Sequence, residues 1–134
     1  MKTSILRIFL ATIVLGGIAT ANSQTATQRE TIEPNNPEAY YTISTYYWDK
    51  AYRDTKLKEP EKRQFIMDGL DAVNKALQLK SDYMEALVYK NLLLRSQALI
   101  EKDPAKQQAL LKEADQLRDR AQELRKKKAA GVGD

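Results

Sequence analysis

From Tyr40 onward, apolar residues recur at spacings of three and four, the period of a helix with one buried face. Tyr40, Ile43, Tyr47 and Ala51 mark such a face. They predict a first helix from Pro37 to about Leu57, with Asn36 as its cap and Pro37 at its first position. A second helix is predicted over Pro60–Lys80. It carries one stripe of Ile66, Leu70, Val73 and Leu77 and another of Phe65, Ala72 and Leu79, so it packs on two sides. Ser81 offers a cap for a third helix running to about Glu101. Its Met84, Leu87, Val88, Leu92, Leu93, Leu94, Ala98 and Leu99 cover most of the circumference, the pattern of a central helix. Asp103-Pro104 starts a fourth helix. Its narrow stripe of Leu110, Ala114, Leu117, Ala121 and Leu124 suits an outer position. Short connections make consecutive helices antiparallel neighbours. The predicted fold is all-α: two long antiparallel helical hairpins, four main helices in all.

The two halves repeat one another. Pro60 and Pro104 are 44 positions apart; Ala76 and Ala121, Leu79 and Leu124, and Asn36 and Ser81 are each 45 apart. Ala39 and Ala86 are 47 apart. One helical hairpin is written twice.

Ahead of the helices the pattern changes. Lys2 and Arg7 precede an uncharged apolar stretch, Ile8 to Ile18, followed by the small residues Ala19-Thr20-Ala21. That order is that of a secretory signal peptide, and the apolar run is shorter than the roughly 20 residues that span a bilayer. Cleavage is expected after Ala21, with the mature chain exported to the periplasm or the exterior of a bacterium. Residues 1–21 are read as signal peptide, 22–36 as a polar flexible lead-in, 37–128 as the helical domain and 129–134 as a flexible tail.

Composition narrows the chemistry. Of 134 residues, 30% are charged, and only five are Gly and four Pro, a balance that favours helix. The net charge of +4 includes Lys2 and Arg7 of the leader, so the rest of the chain is nearly balanced. Its signs alternate, as in Lys112-Glu113 and Arg118-Asp119-Arg120, which reads as solvated helix faces rather than a nucleic-acid surface. Cys and His are both absent. Disulfides, thiol catalysis and the commonest metal ligand and general base are therefore excluded. Glu59 with Glu61 and Asp68 with Asp71 lack a third ligand, and no phosphate-binding, dinucleotide or nucleophile motif is present. No enzyme activity, cofactor or metal is expected. Arg125-Lys126-Lys127-Lys128 complements the dipole at a helix C-terminus, and no membrane contact is expected after cleavage.

Pro37-Glu38-Ala39-Tyr40-Tyr41, Ile43-Ser44 and Tyr47 resemble the first helix of a tetratricopeptide repeat. Gly69-Leu70, Val73, Ala76-Leu77 and Leu79 resemble the second, and Ala86-Leu87, Leu94, Ala114, Ala121 and Leu124 continue the pattern. With Asp82 to Asn91, the first motif is similar to a group of exported bacterial repeat proteins of unassigned role. The resemblance covers about Asn35 to Leu124. Its period is about 45 residues rather than 34. Lys90 and Arg118 stand at positions where apolar residues are usual, and Ser81 replaces a helix-ending proline.

The resemblance implies that first helices line the binding side. Its outward positions are then Tyr41, Thr45, Trp48 and Asp49, followed by Val88, Leu92 and Arg95. The first helix holds Tyr40, Tyr41, Tyr46, Tyr47, Trp48 and Tyr52, more rings than one face can bury. Exposed Tyr and Trp beside Arg are common anchors of protein interfaces. The expected protein-binding set is Tyr41, Thr45, Trp48, Asp49, Val88, Lys90 and Arg95. It fits a scaffold or adaptor that holds a protein or peptide. The alternative is a structural helical protein that self-associates through its open ends.

Overall fold

The computed structural model describes residues 34–131. Residues 1–33, on which the expected signal peptide and most of the expected lead-in lie, and 132–134 fall outside the described residues. The chain is all-α, with helices α1 (Pro37–Arg53), α2 (Glu59–Leu79), α3 (Met84–Ile100) and α4 (Pro104–Ala129). α1 packs along α2 and α3 along α4, giving two hairpins. α3 also lies against α2 and, over a shorter length, against α1; α4 touches neither α1 nor α2. α3 is thus the central helix that its apolar circumference predicts.

Capping explains the helix limits. Asn36 Oδ1 accepts hydrogen bonds from the amides of Glu38 (3.0 Å) and Ala39 (3.4 Å), and Asp103 Oδ1 does the same for Ala105 (2.9 Å) and Lys106 (3.4 Å). α1 stops at Arg53, short of the expected Leu57. The Asp54 carboxylate accepts the Lys56 amide at 3.0 Å, and this local turn competes with further helix. At the start of α2, the Lys58 amide donates to Glu61 Oε2 at 3.0 Å.

Ser81 is not the cap of α3. Tyr83 occupies that position without a side-chain cap bond. Ser81 lies inside the turn that the Tyr83 amide closes by donating to the Lys80 carbonyl (3.2 Å), and the Tyr83 ring packs 5.2 Å from the Tyr41 ring. The far end of α3 is closed from outside: Arg63 donates to the Ile100 carbonyl (3.1 Å) and Gln107 to the Ala98 carbonyl (2.9 Å). α4 runs one residue into the expected tail and ends through Gly131, whose φ of 68° suits glycine.

The core is built from small residues between larger ones. Ala51, Ala72, Ala76, Ala86, Ala98, Ala114 and Ala121 are buried, with Ile66, Val73, Leu87, Leu93 and Leu94 filling the spaces. Each of those larger side chains contributes about 1.5–3 kcal/mol by leaving water. Ser44 is fully buried, and its hydroxyl donates to the Tyr41 carbonyl at 2.7 Å. Not every apolar position of α3 is covered: Leu99 remains 81% exposed and Val88 37%.

Candidate functional site

Where α1 meets α3, five rings form one continuous strip. Tyr41 lies 5.2 Å from Tyr83 and 5.4 Å from Tyr89, the latter edge to face. Trp48 meets Tyr89 edge to face at 5.6 Å and stacks on Tyr52 at 4.9 Å, with the two planes 11° apart. Helical spacing builds the strip. Tyr41, Trp48 and Tyr52 are seven and four residues apart along α1, which keeps them on one side. On α3, Tyr89 shares three-and-four spacing with the buried Ala86 and Leu93, so it faces the first hairpin.

Tyr41, Trp48, Tyr83 and Tyr89 rest half-buried against the cluster of Val73, Ala76, Ala86 and Leu93. Tyr52 stands 66% exposed at the outer end. The inner end is electrostatically distinct. Burial pushes the Tyr41 phenol above its ordinary value, with Tyr89 and the Glu85 carboxylate adding to the shift. Burial raises Tyr83 too, followed by Glu38, Glu85 and Tyr41. Both phenols therefore stay protonated through the neutral range and remain available as donors. Lys80 Nζ lies 5.2 Å from the centre of the Tyr83 ring.

The sequence-derived residues do not form one cluster. Tyr41 and Trp48 belong to the strip. Thr45 is half-buried on the same helix, and its hydroxyl donates to the Thr42 carbonyl at 2.8 Å. Asp49 pairs with Arg53 one turn on, beside a shallow depression shared with Asp54 and Lys56. Val88 lies in a groove between α3 and α4. Lys90 reaches Glu113 at 3.0 Å, and Arg95 reaches Asp115 at 2.6 Å while its Nε donates to Asn91 at 2.9 Å. Lys90 and Arg95 thus tie α3 to α4. Tyr52, Tyr83 and Tyr89 were not in the predicted set, Tyr52 being read only as one of six rings on the first helix. The signal for Tyr52 is its spacing of four from Trp48, and for Tyr89 its three-and-four spacing with Ala86 and Leu93, while Tyr83 needed the tertiary contact to be found.

Among the described residues, no group of three or more acidic residues is placed to hold a metal ion, and no helix is long and apolar enough to cross a membrane. Comparison of the chain with protein-family models, with curated proteins and with solved structures finds no match.

Proposed function

We propose that this chain is an exported scaffold or adaptor of tetratricopeptide-repeat type in the bacterial cell envelope. It holds a protein or extended peptide against the α1–α3 aromatic strip and performs no catalysis. The observation that carries this reading is the strip itself. Five rings meet along one seam, and Tyr52 leaves the outermost ring open to solvent while Trp48 backs it. Tyr and Trp present large, rigid contact area with a polar tip, the character of interface anchors. The tetratricopeptide part rests on the motif residues of α1 and α2 and on the seating of α3 against both helices of the first hairpin. Export rests on the charged, apolar and small-residue order of residues 1–21.

The test is partner capture from envelope extract of the producing bacterium, with Trp48→Ala and Tyr52→Ala as a double variant of matched helicity. A partner identified on the native chain is then purified and rebound. Loss of an anchor ring typically costs about 1–2 kcal/mol or more, so the double variant should bind at least about tenfold more weakly. Equal binding by both chains would remove the strip from the site. Mass measurement of the exported chain tests the leader: the mature product should begin at Asn22.

A further inference from the structure

The molecule contains an internal template for a second docking surface. α1 and α3 are each 17 residues long, with starts and ends both 47 positions apart. α2 and α4 start 45 positions apart. In this register Val88 corresponds to Tyr41, Arg118 to Val73, Ala121 to Ala76, Gln122 to Leu77 and Arg125 to Lys80. The first-hairpin members of these pairs matter because α3 lies there. Val73 and Ala76 are fully buried in one cluster with Ala86 and Leu93 of α3, with Tyr41 and Leu77 packed against it. Lys80 lies over the Tyr83 ring at the end of that seat.

The second hairpin repeats the seat without an occupant from this chain. A groove of about 260 Å³ runs between α3 and α4, lined by the apolar Met84, Val88 and Ala121 and the polar Asn91, Arg118, Gln122 and Arg125. Val88 is two residues from Ala86, about 200° round the helix, so this groove faces away from the first hairpin. The equivalents of the buried Val73 and the half-buried Leu77 have become Arg118 and Gln122, both exposed. Two arginines line the groove, and no carboxylate does. Asp115 (2.9 Å) and Asp119 (2.9 Å) hold the Arg118 guanidinium in place, while Arg125 makes no ion pair among the described residues.

We infer that the α3–α4 groove seats an amphipathic helix of a partner protein, docked as α3 docks on α1 and α2, with carboxylates facing Arg118 and Arg125. The shape comes from the internal template and the charge from the two arginines that line the groove. A guest in this pose presents its Tyr83 position toward Arg125, because Lys80 lies on Tyr83 in the template. It presents its Ala86 position toward Arg118, because Ala86 clusters with Val73. A second copy of this chain is a poorer guest, since its own α3 presents Tyr83 and Ala86 rather than acids at those points.

The probe is a labelled peptide of residues Ser81–Glu101 carrying Tyr83→Glu and Ala86→Glu, titrated with the full chain and read by fluorescence anisotropy. The expected result is saturable one-to-one binding that falls as salt is raised and weakens by about tenfold or more with Arg118→Glu and Arg125→Glu. Arg118→Glu gives up the pairs to Asp115 and Asp119, so helicity is checked first, and Arg125→Glu alone, at an exposed residue with no ion pair to lose among the described residues, should also weaken binding. The same peptide with Tyr83→Lys and Ala86→Lys should bind the charge-reversed chain. Tyr52→Ala should leave the titration unchanged, which separates this groove from the aromatic strip. Absence of saturable binding would overturn the inference, as would binding indifferent to the charge reversal. Sedimentation showing dimers of the chain that dissolve with Arg118→Glu and Arg125→Glu would also overturn it, in favour of a second copy.

Discussion

A methyl group added at Gly69 would come 2.9 Å from Leu93 Cδ2, closer than side-chain carbons approach in folded proteins. The same carbon would lie 3.2 Å from Cβ of Tyr47. Gly69 is therefore the point where α1, α2 and α3 come together, and the aromatic strip depends on that approach because α1 and α3 each supply part of it.

Gly69→Ala sets two effects against each other. Alanine gains about 1 kcal/mol of helix propensity. Overpacking costs about 1–3 kcal/mol, and Tyr47 Cβ, fixed to the backbone of α1, has little room to yield. The expected result is net destabilisation of up to about 2 kcal/mol, measured by denaturant unfolding. Leu93→Ala alone should cost about 2–5 kcal/mol. The double variant should lose less than the sum, because the new methyl group occupies space that Leu93 vacates. Strict additivity would contradict the close approach.

The helix caps give a sharper contrast. Asn36 and Asp103 each accept two backbone amides, so Asn36→Ala and Asp103→Ala should each cost about 1 kcal/mol. Ser81 lies before the α3 cap position, so Ser81→Ala should change stability by less than about 0.5 kcal/mol. Unfolding midpoints of the three variants check this. A Ser81→Ala loss equal to the other two would place the start of α3 at Ser81 after all.

Alkaline pH reports on the inner end of the strip. Tyr41 and Tyr83 are held above the ordinary phenol value of 10.0, chiefly by burial. In the unfolded chain these phenols ionise first, so above that value unfolding releases protons and stability falls as pH rises. Below it, these two groups add no pH dependence. Denaturant midpoints followed upward through this range should fall less steeply for Tyr41→Phe with Tyr83→Phe than for the native chain. An equally steep fall would show that neither phenol is shielded.

Much of the fold was legible from spacing alone. The three-and-four pattern placed all four helices, and the α3 apolar circumference identified the central one. What it missed followed from competition at helix ends. Asp54 captured the Lys56 amide and shortened α1, and the Lys80–Tyr83 turn carried the chain past Ser81 before α3 begins. The site was less legible. Tyr41 and Trp48 share the strip because helical spacing fixes their side of α1. Lys90 and Arg95 depend on where α4 lies, and local sequence does not reveal that Glu113 and Asp115 come within reach of them. The repeat offset had the same origin. Measured from Asn36 to Ser81 it is 45, but the folded first helices are 47 apart because α3 starts after Tyr83.

The central claim is that a partner protein lies along the aromatic strip. It is tested most directly by photo-cross-linking in the producing organism, with a photoreactive residue at Tyr52 and, in a separate chain, at Leu99. Both positions are open to solvent, at 66% and 81%, and only Tyr52 belongs to the strip. The account predicts one discrete adduct from position 52, absent from position 99 and lost when Trp48→Ala is added. No adduct at position 52, or the same adducts from both positions, would contradict it.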